Sequence, residues 1–375
     1  MAIVSVQRTE KYDAADVRAS IDRHFDTLGI ENNLRPGMKV IIKPNLLAAR
    51  HPEKAATTHP VVIASVIGWL RDKGVTRITI ADSPGGVYSQ GNLKAVYESG
   101  GYNALKDTAE LNLDTGFQNV KCPDGFASKS FNIINPVLKA DYIINIAKLK
   151  THGLTVITGG VKNLFGVIPG LQKPEWHFRY PKIDDFCRML IELALVVRPQ
   201  VTLIDAVETM EGNGPLNGKP RHLGLTLCSR DIFAQDYYAS KLMGIEPTDA
   251  PILRQALKMG LFMPDEITVA GFDAAPAEPP YKLPESVKKN SSRHSFLARS
   301  AGALISRVYC AVPKIDTEKC RGCGKCAESC PMKLITINNK VAGMSTKKCI
   351  SCFCCQEMCP FDAVRITHRW RLPRI

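Results

Sequence analysis

The chain has 375 residues, of which 45% are hydrophobic and 23% charged, with a formal net charge of +13. That apolar content can bury a large core with room for a second domain, which excludes a disordered or fibrous protein. The longest strongly apolar run, Met189 to Val197, is far short of the ~20 residues that span a bilayer, and residues 1–30 lack the charged, apolar, small-residue order of a signal peptide.

From residue 1 to about 272, short β-rich runs alternate with helical patterns, which predicts an α/β domain with a mainly parallel sheet. Strands are predicted at Ile3–Val6, Val40–Ile42, Arg77–Ala81, Tyr142–Ile146, Val201–Ile204 and Leu223–Leu227. Helices are predicted at Ala14–Leu28, Pro60–Lys73, Leu93–Ser99, Ile183–Val197 and Ile232–Met243, with Pro60 suited to a first helical position and Gly74 to a stop.

Polar groups collect where these strands end. Val40–Ile42 runs into Lys43, Pro44 and Asn45; Arg77–Ala81 into Asp82, Ser83, Pro84, Gly85 and Gly86; Tyr142–Ile146 into Lys148, Lys150 and His152; Val201–Ile204 into Asp205, with Glu208 and Glu211 behind. Ligands of open parallel sheets bind outside the carboxyl ends of the strands, so these clusters converge if the strands are neighbours. Lys43, Asp82, Lys148, Lys150, His152 and Asp205 are therefore the candidate catalytic residues, with the lysines and histidine binding or protonating an anionic small molecule and the aspartates serving as acid, base or ligand. Plainer readings stand beside these: Asp82 and Asp205 can cap turns or helices, and His59 can start a helix. The glycine pairs Gly85-Gly86 and Gly159-Gly160 either admit a phosphate or carboxylate to the backbone or mark turns. Lys148, Lys150, His152, Lys162 and Asn163, interleaved with apolar residues and glycines, predict a cationic pocket. No dinucleotide or P-loop signature is present, so neither NAD nor ATP is expected; a flavin or another metal stays possible but has no motif in its support.

The motifs Ile42-Lys43-Pro44-Asn45-Leu46, Thr57-Thr58-His59-Pro60, Asp82-Ser83-Pro84-Gly85, Ala147 to Gly153, Gly160 to Gly166 and Gly212-Asn213-Gly214-Pro215 together resemble the prokaryotic domain-of-unknown-function family 362 over about residues 38–272. The resemblance implies an architecture, and a C-terminal ferredoxin tail in many members, but no assigned reaction. A distant similarity to the lactate racemase fold would admit a metal or organometallic cofactor, by fold analogy alone.

Residues 273–312 read as a proline-rich linker followed by a packing helix, in which Leu297, Ala301, Leu304 and Val308 share one face. Residues 313–369 carry the strongest signal. Nine of the thirteen cysteines lie between Cys320 and Cys359, a local metal site and not a disulfide framework, which fits a reducing, cytoplasmic setting. Cys320, Cys323, Cys326 and Cys330-Pro331 form one C-x2-C-x2-C-x3-C-P run, and Cys349, Cys352, Cys355 and Cys359-Pro360 repeat it with identical spacing. Three closely spaced thiolates wrap one cubane while the fourth reaches the other cluster. Two 4Fe-4S clusters are expected, one on Cys320, Cys323, Cys326 and Cys359 and the other on Cys349, Cys352, Cys355 and Cys330. Zinc ribbons instead use separated cysteine pairs. Cys354 adjoins Cys355 as an alternative ligand or a spare buried thiol, and Cys122, Cys187, Cys228 and Cys310 read as core residues.

This stretch resembles the bacterial two-cluster ferredoxins, including short strands at Leu334–Ile337 and Ala363–Ile366, and the resemblance implies one-electron transfer at low potential. Two oxidised clusters at about −2 each would bring the charge to about +9. Basic residues gather at Lys288, Lys289, Arg293, Arg299 and Arg307, again at Arg365, Arg369, Arg371 and Arg374, and residues 370–375 form a basic tail. Without a nucleic-acid motif this charge predicts a solvated face or a docking surface for an acidic redox partner, not nucleic-acid binding or a membrane span. Three functions follow: an iron-sulfur oxidoreductase that relays electrons to an anionic substrate at the strand ends, a non-enzymatic electron carrier or redox-sensing binding protein, or an enzyme whose clusters only hold the fold.

Overall fold

The computed structural model describes residues 1–125, 127–287 and 309–370. The large domain contains strands β1 (Ala2–Arg8), β2 (Lys39–Pro44), β3 (Arg77–Ile80), β4 (Glu110–Leu111), an antiparallel pair β5 (Phe117–Lys121) and β6 (Ser130–Ile134), then β7 (Tyr142–His152), β8 (Val156–Thr158), β9 (Val201–Glu211), β10 (Lys219–Ser229) and β11 (Ile267–Gly271). One large sheet has the order β11-β1-β10-β9-β7-β2-β3-β4, with β8 pairing onto β7. From β9 through β7, β2 and β3 to β4 every pairing is parallel, whereas β10 runs antiparallel to both of its neighbours. The four strands whose ends carry the candidate residues are thus consecutive in the sheet.

Alternation along the strands explains the layers. Val40 and Ile42 of β2 enter a core with helices Ala14–Thr27, Pro60–Asp72 and Gln90–Ser99, while Ile41 between them points into a second core with Ile183–Val197 and Pro251–Lys258. Helices therefore cover both faces, as a parallel sheet buried on both sides requires. The helix Pro60–Asp72 begins with its proline at the first position, capped by His59, and Gly74 follows its end at φ +77°.

Two strands run further than their composition suggests. β7 continues from Tyr142 through Lys148 and Lys150 to His152, buried along its whole length. These residues are thus in the strand, not after it. Their neighbours hold them there: Lys148 is opposite Asp205 on β9, and Lys150 and His152 are opposite Thr158 and Val156 on β8. β9 likewise extends to Glu211, so Glu208 and Glu211 are strand residues. The helices Gln172–Arg179 and Pro251–Lys258 and the strands β4, β5, β6, β8 and β11 are additional to the predicted elements.

The C-terminal module pairs β12 (Tyr309–Ile315) with β15 (Val364–Trp370), folds β13 (Ile335–Asn338) onto β14 (Val341–Met344), and adds two one-turn helices, Lys325–Glu328 and Cys354–Glu357. The predicted helix through Leu297, Ala301, Leu304 and Val308 lies outside the described residues. So do Lys288, Lys289, Arg293, Arg299, Arg307, Arg371, Arg374 and the basic tail from 371 on, and the side chains of Cys310 and Arg369.

Candidate functional site

The register between β7 and β9 sets Lys148 beside Asp205, and the two close a buried knot. Lys148 Nζ donates to Asp205 Oδ2 at 3.0 Å and to the Tyr12 hydroxyl at 2.6 Å. Tyr12 in turn donates to Asp205 Oδ1 at 2.8 Å, and the His59 backbone N–H reaches Asp205 Oδ2 at 2.9 Å. The His59 ring stacks on Tyr12 with centroids 3.6 Å apart. Burial pushes Lys148 down while Asp205 opposes it, and burial pushes His59 down to about 4. His59 Nδ1 accepts from Val61 N and so caps its helix.

A second ion pair joins β2 to the exit of β3. Lys43 Nζ is 2.8 Å from Asp82 Oδ1, and Asp82 Oδ2 accepts from Leu46 N at 2.9 Å. Gly166 lies against this pair so closely that a Cβ there would stand 2.0 Å from Asp82 Oδ1 and 2.7 Å from Lys43 Nζ. The Gly159-Gly160 turn does admit a carboxylate to its backbone, but an internal one: Asp236 accepts from Gly160 N at 2.6 Å and Val161 N at 3.0 Å. Burial raises the Asp236 carboxyl to about 7 against these two donors. The turn and Asp236 together fix the start of Gly160–Asn163, which carries Lys162 and Asn163.

Beyond these pairs a cavity of about 90 Å³ opens between the strand ends and the C-terminal module. Asp82, Lys150, His152, Lys162, Lys173 and His177 line it from the large domain, and Ser329, Cys354, Glu357 and Met358 from the other side. Of the six candidate catalytic residues, Asp82, Lys150 and His152 reach this lining. Lys43 stands behind Asp82, and Lys148 with Asp205 does not line the cavity. Lys173, His177 and Glu357 join the site with no local sequence signal to mark them, because only packing brings them there.

Burial lowers the basicity of several lysines at the cavity. Lys173 is pushed down to about 7 by burial, with Lys43 and Lys162 adding to the shift and Asp82 opposing it. Burial also lowers Lys162, whose Nζ sits 4.9 Å from the Phe165 ring centre. Lys150, 1% exposed, donates to Asn45 Oδ1 at 3.2 Å and to the Ala56 carbonyl. His152 accepts from Leu154 N at Nδ1, 3.0 Å, which leaves the ring proton on Nε2, 3.3 Å from Glu357 Oε1. Burial keeps His152 neutral and raises Glu357. Asp82 Oδ1 and Glu357 Oε1, on residues lining this space, face Lys43 Nζ at 2.8 Å and His152 Nε2 at 3.3 Å, whereas the buried Thr158 Oγ1 has no hydrogen bond among the described residues. A buried polar atom left unpaired is costly, so Thr158 Oγ1 is open to a polar guest.

The cysteines surround two further cavities. Cys320, Cys323, Cys326 and Cys359 line one, and Cys330, Cys349, Cys352 and Cys355 the other, so each fourth thiol crosses to the opposite half. Backbone N–H groups point at four of the sulfurs: Ala342 N to Cys320 and Ala363 N to Cys359 at 3.3 Å, Leu334 N to Cys330 and Ser351 N to Cys349 at 3.4 Å. Leu334 and Ala363 each follow their cysteine by four residues, which repeats the geometry across the two halves. Such N–H···S contacts are the levers that stabilise and tune bound iron-sulfur clusters, so the residues fit that cofactor. Cys354 lines the large cavity and neither cysteine quartet. Cys187 and Cys228 are buried and Cys122 is only partly so.

The module docks on the large domain through specific contacts. Arg50 donates to the Pro360 carbonyl at 3.2 Å and Asn217 to the Gln356 carbonyl at 3.3 Å, while Met358 fills the space that a side chain at Gly85 would occupy. Among the described residues no helix is long and apolar enough to cross a membrane.

Comparison with known proteins assigns both parts. A family model described as a domain of unknown function (DUF362) matches residues 40–241, and one described as a 4Fe-4S dicluster domain matches residues 312–360. The "Thylakoid-associated protein sll1697" of Synechocystis sp. is 32% identical over 260 residues, 69% of this chain and 79% of that protein. Among solved structures, the lactate racemase apoprotein from Thermoanaerobacterium thermosaccharolyticum aligns with a TM-score of 0.36 and 14% identity, covering 59% of this chain and 54% of that one, a likeness too slight to carry an argument about cofactor or reaction. The 4Fe-4S module supports an iron-sulfur electron-transfer role. Its attachment to a domain matching residues 40–241 makes this chain a member of the domain-of-unknown-function family 362 that carries a C-terminal 4Fe-4S module.

Proposed function

We propose that the protein is an iron-sulfur oxidoreductase that binds two 4Fe-4S clusters and delivers electrons to a small anionic molecule in the cavity between its two parts. The observation that carries this reading is the shared wall: Lys150, His152, Lys162 and Lys173 face a segment, Cys354 to Met358, that includes the cluster-ligand candidate Cys355. When bound, the clusters supply electrons one at a time.

The chain's own residues then have distinct tasks. Lys162 and Lys173 regain their charge as an anion enters, since an opposite charge restores what burial removed. His152 donates from Nε2, and the Glu357 carboxyl, raised by burial, stands 3.3 Å away at the same end of the cavity. Asp82 orients the cavity floor with Lys43 behind it. Lys148 and Asp205 lock β7 to β9, which supports the position of Lys150 two residues on. Electrons enter from a partner protein at the exposed edge by Cys323 and Phe361, next to the first cysteine quartet. Cysteine usage without a disulfide framework supports a reducing, cytoplasmic setting.

The test is EPR of the dithionite-reduced holoprotein with a panel of small carboxylates and oxoanions. Oxidation of the clusters on adding one of them, lost in Lys162→Gln and His152→Ala variants that retain both EPR signals, is the expected result. Two reducible clusters that respond to no anion, yet exchange electrons with partner proteins in wild type and variants alike, would establish an electron carrier instead.

A further inference from the structure

Lys150 is unlike the other buried lysines of the strand ends. Lys43 and Lys148 each have a carboxylate at 2.8 and 3.0 Å. The described polar partners of Lys150 Nζ are two neutral oxygens, Asn45 Oδ1 and the Ala56 carbonyl. In its neutral form such an amine gives both N–H donors to the two acceptors on the wall and keeps its lone pair as the nucleophile. Lys150 is 1% exposed and lines the cavity together with the basic side chains of Lys162 and Lys173. Desolvation of a lysine in a buried pocket is the arrangement that activates an amine for attack on a carbonyl.

We propose that Lys150 is a covalent catalytic residue that forms an imine with a small aldehyde or 2-oxo acid, whose carboxylate is held by Lys162 and Lys173. This rests on the reading of the cavity as an anion site and adds the substrate's second functional group. In the step, Lys150 Nζ adds to the carbonyl carbon as the C=O π bond breaks; one amine proton passes to the carbinolamine oxygen, and loss of water leaves the C=N bond. No electron is gained or lost. The His152 Nε2–H, 3.3 Å from Glu357 Oε1, hydrogen-bonds the carbinolamine oxygen, and the second amine proton leaves with the hydroxyl as water. Small 2-oxo acids and aldehydes such as pyruvate and glyoxylate match a cavity of about 90 Å³. Burial, reinforced by Lys162 and Lys148 and opposed by Glu357 and Asp82, lowers the amine well below its ordinary range, which favours the nucleophilic form.

The holoprotein is incubated anaerobically with pyruvate or glyoxylate and cyanoborohydride, which reduces an imine to a stable secondary amine, and the adduct is mapped by peptide mass spectrometry. The expected result is one adduct, on Lys150, blocked by excess sulfate and lost in Lys150→Gln. Cluster EPR and circular dichroism establish that the variant is folded; if it is not, sulfate protection at Lys150 in the wild type carries the test. Modification spread over surface lysines, or none at full cluster content, overturns the proposal. Cluster oxidation by an anion that leaves Lys150 unmodified with both carbonyl probes would retain the oxidoreductase reading and discard the imine; no response of any kind would discard both.

Discussion

Replacing Asp205 by asparagine removes a charge and almost no volume from a site with no solvent exposure. Three donor groups make four hydrogen bonds in the knot: the Tyr12 hydroxyl at 2.8 Å, Lys148 Nζ at 3.0 Å and His59 N at 2.9 Å on the carboxylate, and Lys148 again on the tyrosine oxygen at 2.6 Å. An amide keeps one oxygen but turns an N–H₂ toward groups that themselves donate, and it leaves the Lys148 ammonium without a counter-charge. Breaking one side of a buried pair costs about 3–5 kcal/mol. Combining Asp205→Asn with Lys148→Met should recover most of that loss, because the stranded charge is gone. Guanidinium unfolding followed by far-UV circular dichroism, run on both single variants and the double, measures the coupling. A cost below about 1 kcal/mol for Asp205→Asn, together with complete loss of ligand-dependent cluster oxidation, would refute the structural role and return Asp205 to the catalytic group.

Gly166→Ala should destabilise the chain and weaken anion binding, because its methyl group would sit 2.0 Å from Asp82 Oδ1 and separate the Lys43–Asp82 pair; titration calorimetry with the responding anion measures it. Acid should unfold the protein steeply. His24 and His177 are buried and held neutral down to about 3, so below ~6.5 the unfolded chain binds more protons, and stability falls by up to about 2.7 kcal/mol per pH unit for the two together. Urea midpoints between pH 7 and 5 that stay constant would contradict this. On the two-cluster proposal, Cys354→Ser should retain the full iron and sulfide content of the wild type, whereas Cys355→Ser should lose about half of it.

The cysteine spacing was legible because a cluster site is a local object: short gaps place three sulfurs together whatever the rest of the chain does, and the two quartets assemble around separate cavities as the repeat implies. Most strand starts and their order along the chain were legible for a similar reason, but the ends of β7 and β9 were not, because Lys148 to His152 and Asp205 to Glu211 are polar-rich stretches that the neighbouring strands hold within the sheet. Which polar residue is a partner and which remains available was not legible. Lys148 and Lys150 differ by one turn of strand alternation, yet one meets Asp205 across the register and the other meets two carbonyl-type oxygens. Glu357 was equally hidden, because its role depends on how the C-terminal module docks through Arg50, Asn217 and Met358.

The exchange of fourth cysteines between the two halves has a consequence for assembly. Half of the motif on its own offers three sulfurs and leaves a fourth corner open, so neither half can be trimmed away and still close its own site. Filling one cavity draws Cys330 or Cys359 into place and with it the turn that carries the other half's remaining sulfurs. The two sites are interlocked like links of a chain, and loading them should be cooperative: partially supplied protein should divide into empty and fully loaded molecules, with few that carry one cluster.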